Sequence, residues 1–164
     1  MSKHSQQLDR ARLYFVCEGG DDAEARDRLL EAALAGGADL IQLRDKDADD
    51  DRILAAAPAF RAAADRHDAL FILNDRPDLV AACKADGVHV GQDDTPVAEA
   101  RELAGPDAIV GLSTHSPEQL RAAEDAADDA RPDYISVGPV WPTPTKPGRP
   151  AAGIEYVEIA AKEA

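Results

Sequence analysis

The side chains in this sequence best suited to chemistry stand at the ends of short apolar runs. Leu40-Ile-Gln-Leu-Arg-Asp-Lys46 carries an amide, a guanidinium and an ammonium at alternate positions. In an extended strand, Gln42, Arg44 and Lys46 share one face, and Ile41 and Leu43 share the other. Two cations on one face make sense when an anion meets them. The plainer reading is a solvated charged run that opens a loop. Phe71-Ile-Leu-Asn-Asp75 and Val88-His-Val-Gly-Gln-Asp-Asp94 each end on a carboxylate. Asp75 could serve only as the cap of the helix that follows. Asp93 and Asp94 are relieved of that duty by Thr95-Pro96, an N-cap with proline at the first helical position. A carboxylate at each of two adjacent strand ends is a layout for Mg²⁺, which takes oxygen ligands and keeps waters or substrate phosphates. In Gly111-Leu-Ser-Thr-His115 the cap falls to Ser116, which leaves Ser113 free as a donor. His89 and His115 read as packed, hydrogen-bonded histidines.

One loop adds to this set. Tyr134-Ile-Ser-Val137 runs into Gly138-Pro-Val-Trp-Pro-Thr-Pro-Thr-Lys-Pro-Gly148. Prolines at 139, 142, 144 and 147 fix φ and remove backbone donors, so the segment neither extends a sheet nor starts a helix. It presents Thr143, Thr145 and Lys146 on a stiff rim that suits an anionic or phosphorylated ligand. A surface proline-rich connector is the competing reading.

These residues need a frame. Strands are predicted at Leu13–Cys17, Asp39–Arg44, Ala69–Leu73, Gly87–Val90, Ala108–Leu112 and Tyr134–Val137. Helices are predicted near 22–35, 50–66, 77–84, 96–104, 117–129 and 154–163. The strands are almost continuously apolar, as in a parallel sheet buried on both faces. Their alternation with helices implies right-handed βαβ units. Ser116-Pro-Glu-Gln119 forms a capping box, and Gly36-Gly37 closes the first long helix. Residues 1–12 are expected to be a flexible N-terminal tail, and 13–164 one domain. Periodicity alone leaves open whether that domain is a six-strand open sheet or part of a barrel.

The chain has 164 residues, enough for one domain with a substantial core. Asp and Glu outnumber Lys and Arg 32 to 18, for a net charge of −14. Nucleic acid and anionic membranes are therefore disfavoured as partners. A phosphate-bearing substrate must be met by local cations or a divalent metal. Cys17 and Cys83 lack metal-ligand spacing and read as reduced thiols of a cytoplasmic protein. No secretory signal is seen, and no apolar run nears the ~20 residues of a membrane span.

Gln42-Leu-Arg-Asp-Lys46, Asn74-Asp75, Gly91-Gln-Asp-Asp94, Gly111-Leu-Ser113 and Gly138-Pro-Val-Trp-Pro-Thr-Pro-Thr-Lys146, in this order and spacing, resemble the thiamine phosphate synthase family. The resemblance runs from about Leu13 to Ile159. It implies an α/β fold, a parallel (β/α)₈ barrel of the TIM type with about six of its eight units in this sequence. It implies a transferase of thiamine biosynthesis that joins hydroxymethylpyrimidine diphosphate to thiazole phosphate, giving thiamine phosphate and diphosphate. By position, Gln42, Arg44, Lys46, Asn74, Ser113 and Lys146 would hold the pyrimidine diphosphate, with Leu43 and Asp45 in the same segment. Asp75 and Asp94 would bind Mg²⁺, and Thr143, Pro144 and Thr145 would hold the thiazole phosphate. Arg44, Lys46, Ser113 and Lys146 would carry the catalysis, by charge stabilisation of a leaving diphosphate rather than through a nucleophile.

Two other readings belong beside it. A thiazole tautomerase is a related barrel, but it has no use for the diphosphate and Mg²⁺ set. Family members continue through two further strands. The resemblance therefore also suggests a truncated fragment, with an open phosphate site, little activity and self-association through its sheet edge.

Overall fold

The computed structural model describes residues 3–142 and 151–163. Its sheet has six strands, β1 (Tyr14–Cys17), β2 (Leu40–Leu43), β3 (Leu70–Asn74), β4 (Gly87–Val90), β5 (Ile109–Thr114) and β6 (Tyr134–Val137). Each pairs in parallel with the next, in the order β1-β2-β3-β4-β5-β6. The helices are α1 (Lys3–Arg10), α2 (Ala23–Ala35), α3 (Asp50–His67), α4 (Val80–Cys83), α5 (Val97–Ala104), α6 (Pro117–Glu124) and α7 (Gly153–Glu163). A 3₁₀ turn, Pro77–Leu79, leads into α4. Among the described residues, no helix is long and apolar enough to cross a membrane.

Sequential strand order with right-handed crossovers puts every connecting helix on the same side of the sheet. The sheet curls away from them. In a flat sheet, strands one and six would lie about 24 Å apart. Here the phenol oxygens of Tyr14 on β1 and Tyr134 on β6 meet at 2.9 Å. This is the curled arrangement of a barrel wall, not a doubly wound sheet, and none of its pairings is antiparallel. No strand bridges β6 to β1 among the described residues.

Side-chain parity then separates two surfaces. Ile41, Leu43, Phe71, Leu73, Val88, Val90 and Val110 face the helices and join Leu30, Leu34, Ile53 and Phe60 in the main core. Phe60 and Phe71 stack there with centroids 5.5 Å apart. The inner face starts with a dry floor of Leu40, Leu70, Ile72 and Ile109. Leu8 and Ala11 seal this floor from below. The segment expected to be a tail is thus largely the helix α1, and Gln7 Nε2 donates to both the backbone oxygen and the carboxylate of Asp68, at 3.0 and 3.1 Å. Polar spacing had concealed the few apolar side chains that dock it. A third cluster joins Leu120 of α6 with Tyr156 and Ala160 of α7 against Ile135 and Val137.

The rim below the sheet repeats one device. Asp39, Asp86 and Asp133, each immediately before or within one residue of β2, β4 or β6, accept backbone N–H groups at the start of the preceding strand. Asp39 Oδ2 accepts from Arg12 and Leu13 at 2.7 and 3.0 Å. Asp86 Oδ2 accepts from Phe71 at 2.8 Å, and Asp133 Oδ2 from Val110 at 2.7 Å. Arg61 pairs with Asp86 at 2.8 Å and Arg101 with Asp133 at 3.2 Å. The carboxylates satisfy strand donors that would otherwise end unpaired.

Local chemistry decides the element ends. Asp22 and Asp49 cap α2 and α3 by accepting from Ala25 N and Arg52 N, both at 3.0 Å. Gly36 and Gly37 close α2 as expected, with Gly37 at φ +100°. Ser116 caps α6, but Gln119 Oε1 turns back to His115 N at 2.8 Å, one residue before the cap. α6 stops at Glu124, short of the expected 129, and the 77–84 helix divides into a 3₁₀ turn and one α turn. Thr95 is not a cap, because α5 begins at Val97 with Pro96 in the cap position.

The aspartate clamps differ in burial, and this yields a test. The side chains of Asp86 and Arg61 are only 12% and 17% exposed. Asp86→Ala leaves the Phe71 N–H without its acceptor and Arg61 with only Asp65, at 2.8 Å, as a carboxylate partner, and should cost about 2 kcal/mol in urea denaturation. Asp39→Ala leaves donors that water can reach, and should cost about 1 kcal/mol. Equal losses would show that burial does not set the strength of the clamps.

Candidate active site

Above the floor, the inner face turns polar. A cavity of about 570 Å³ is lined by Tyr14, Val16, Cys17, Glu18, Gln42, Arg44, Asn74, His89, Ser113 and Ser136. It opens at the carboxyl ends of the strands, where parallel α/β folds bind ligands. Gln42, Arg44, Asn74 and Ser113 are four of the residues singled out in the sequence, drawn from β2 and the residue just after it, β3 and β5. Strand parity brings them together, since positions 42, 44, 74 and 113 all face away from the helices.

A hydrogen-bonded chain crosses this wall. Gln42 Nε2 donates to Tyr14 Oη at 2.7 Å, and Tyr14 Oη meets Tyr134 Oη at 2.9 Å. Tyr134 Oη meets His89 Nδ1 at 3.0 Å, and His89 Nε2 meets Ser113 Oγ at 2.9 Å. Ser136 Oγ donates to Ser113 Oγ at 3.2 Å. Burial raises the pKa of both phenols above the ordinary tyrosine range, so they stay neutral. Ser113 is therefore bonded rather than free, as the sequence had suggested. His89 is the packed histidine expected, and it also faces the cavity. His115 is packed outside it, with Nδ1 against the Gly138 carbonyl.

Arg44 is half-buried at the mouth of the cavity. Arg52, Arg61, Arg76, Arg101 and Arg121 all pair with carboxylates. Arg44 has no such partner among the described residues.

The expected face shared by Gln42, Arg44 and Lys46 does not extend to the lysine. β2 ends at Leu43, so alternation lapses, and Lys46 turns into an adjoining hollow of about 190 Å³. Leu43, Asp45, Asn74, Asp75 and Arg76 also line it, and Asn74 borders both spaces. Leu43 forms its apolar base and belongs to the helix-side core. Asp45 lies 3.8 Å from Arg52.

Asp75 has a left-handed backbone, φ +58°, a conformation that costs energy in a non-glycine residue. It is not a helix cap; Arg76 occupies that position. Burial pushes its carboxyl up to about 6, with the Asp94 carboxylate bonded alongside adding to the rise, while Asn74 Nδ2, donating at 2.5 Å, and the Lys46 charge pull the other way. Asp94 Oδ2 also accepts from Gly91 N at 2.9 Å and shapes the loop after β4. Thr95 does not free Asp94 from capping in the way expected, yet Asp94 still reaches Asp75. Two touching carboxylates repel unless a proton or a cation lies between them. An all-oxygen pair of this kind suits Mg²⁺, which binds through one or two carboxylates plus waters and phosphate oxygens. No cluster of three or more His, Cys, Asp or Glu fit to hold a metal occurs among the described residues.

Thr143, Pro144, Thr145 and Lys146 lie outside the described residues. Tyr14, His89, Tyr134 and Ser136 were not among the predicted site residues. Their signal was present: they share the inward parity of Gln42 and Ser113. Tyr14, His89 and Tyr134 stand lower on their strands than the strand ends where ligands bind.

Comparison with known proteins agrees with this geometry. Residues 13–164 match the family model described as thiamine monophosphate synthase. A thiamine-phosphate synthase of Acidothermus cellulolyticus is 46% identical over 157 residues, covering 96% of this chain and 73% of that protein. One from Synechocystis is 48% identical, covering 97% of this chain and 44% of that protein. The solved structure of a thiamine phosphate pyrophosphorylase from Pyrococcus furiosus superposes with a TM-score of 0.76 at 30% identity, over 99% of this chain and 73% of its own. With this fold, this cavity and these relatives, the chain belongs to the thiamine monophosphate synthase family.

Proposed function

We propose that this protein is a thiamine-phosphate synthase, joining hydroxymethylpyrimidine diphosphate to thiazole phosphate with release of diphosphate. The observation that carries the reading is Arg44, a half-buried cation without a carboxylate partner among the described residues, in the polar cavity of a chain at −14. Such a charge awaits an anionic ligand. Gln42, Asn74 and Ser113 surround the same space with amide and hydroxyl groups that suit a heteroaromatic ring.

The reaction proceeds by departure of diphosphate before the new bond forms. Arg44 and Lys46 approach from the two adjoining hollows and stabilise the charge that gathers on the leaving group. The ring stays against Gln42 and Ser113, and its methylene carbon, now electron-poor, is attacked by the thiazole nitrogen. Thr143–Thr145 hold the thiazole phosphate and Lys146 adds to the diphosphate site. Asp75 and Asp94 would hold Mg²⁺, which when bound supplies a Lewis-acid charge to the diphosphate oxygens. Positioning both substrates supplies the rest of the rate. Small-molecule substrates in the cytoplasm complete the reading.

Arg44→Met should lower kcat/KM for the pyrimidine diphosphate by about 100-fold and leave KM for the thiazole phosphate within about twofold. Thiamine phosphate formation by the unaltered protein, with equal diphosphate released, is the primary assay. Undiminished turnover in Arg44→Met would overturn the role of Arg44.

Asp94→Asn keeps an oxygen for the Gly91 N–H and removes the charge. It should abolish measurable Mg²⁺ binding by calorimetry and reduce turnover at least about 100-fold, with the melting temperature nearly unchanged. Unaltered Mg²⁺ affinity would assign Asp75 and Asp94 to loop structure alone.

A further inference from the structure

The wall of the cavity holds one residue that both ends of the hydrogen-bonded chain depend on. Tyr134 Oη stands between Tyr14 Oη at 2.9 Å and His89 Nδ1 at 3.0 Å. Its ring stacks on His89, with centroids 5.4 Å apart and planes at 29°, and meets Tyr14 edge-on at 5.9 Å. Gly111 makes room for it, since a Cβ there would fall 2.1 Å from Tyr134 Cζ. Tyr134 does not itself line the cavity.

Gln42 sets the sense of the first bond. Gln42 donates through its amide nitrogen, so Tyr14 Oη accepts. Either phenol could give the proton between them, but only with Tyr14 giving it do both hydroxyls donate and accept within the chain, and that is the order adopted. Tyr134 then donates to His89 Nδ1, which must be unprotonated. A neutral imidazole in that state carries its proton on Nε2 and donates to Ser113 Oγ. Ser136 donates to the same oxygen. None of these bonds uses the Ser113 proton, and none uses the Gln42 carbonyl oxygen. The cavity is offered one donor and one acceptor of defined sense.

We propose that Tyr134 is a positioning residue. Through it, His89 is held as the Nε2–H tautomer, and Ser113 is left to donate, opposite the accepting oxygen of Gln42, to a ring bearing a complementary acceptor and donor. The inference rests on the reading of this cavity as the pyrimidine site. In the opposite proton order, His89 Nε2 would take the Ser113 proton and the cavity would lose its donor.

The test is Tyr134→Phe, which keeps the stacked ring and removes only the hydroxyl. In the unaltered protein, ¹⁵N NMR of the histidine ring, assigned against His89→Asn, should show His89 protonated on Nε2. In Tyr134→Phe the signal should move toward a mixture of tautomers. KM for the pyrimidine diphosphate should rise about tenfold, as for one lost hydrogen bond of ~1.4 kcal/mol, with KM for the thiazole phosphate unchanged. Tyr14→Phe breaks the chain one step earlier and should shift His89 in the same way, so the test survives if Tyr134→Phe folds poorly. A His89 protonated on Nδ1 in the unaltered protein would overturn the proposal. So would Tyr134→Phe and Tyr14→Phe proteins with the original tautomer, or an equal rise in both KM values. Absence of thiamine phosphate formation in the unaltered protein would strike the parent reading instead, while the nitrogen signals still decide the proton order.

Discussion

Six parallel strands in sequential order leave one face of the sheet without a helix to cover it, and how that face is filled governs the rest of the molecule. Curling brings its side chains toward one another, and the face carries too many polar groups to be packed with aliphatics throughout. The chain divides it by height. Leu40, Leu70, Ile72 and Ile109 form a floor that α1 seals. Above them, Gln42, Tyr14, Tyr134, His89, Ser113 and Ser136 satisfy one another in sequence. A half-satisfied network there would cost more than an apolar filling. Mutual hydrogen bonding along the wall, with one donor and one acceptor left toward the cavity, is what lets polar groups sit on a dry base.

Much of this was legible in the sequence, for reasons that differ by feature. Strands such as Gly87–Val90 and Tyr134–Val137 were placed to the residue because each is an apolar run bounded by polar or glycine residues. Gln42 and Arg44 were correctly put on one face, since period-two geometry needs no tertiary information. The same rule failed at Lys46, because nothing local announced that β2 would stop at Leu43. α1 was missed because Leu8 and Ala11 offer too little apolar surface to mark a docked helix before its docking site is known. Tyr14 and Tyr134 lie 120 residues apart. Their contact depends on the curl of the whole sheet, which no window of sequence contains. Capping was similarly mixed: Ser116 could be identified from its own neighbours, whereas the start of α5 could not.

The acidic character of the chain also has a local logic. Asp22 and Asp49 cap helices, Asp39, Asp86 and Asp133 bind strand ends, and Asp75 and Asp94 face each other at the site. Aspartate is used here as a short rigid acceptor. Arg44, with no carboxylate partner among the described residues, stands out against this background because most of its fellow arginines have been claimed by one.

The aspartate clamps bear finally on the order of assembly. They close loops of 26, 15 and 23 residues, so each strand pair can be tied while the remainder of the chain is still free. The contact between Tyr14 and Tyr134 closes 120 residues, and loop entropy alone makes it about 1.5 kcal/mol harder to form than a clamp over 23. Pairing neighbouring strands therefore carries a smaller loop-entropy cost than the curl that unites them. The cavity is built on a contact that spans 120 residues, so the site rests on the part of the fold with the most loop entropy to overcome.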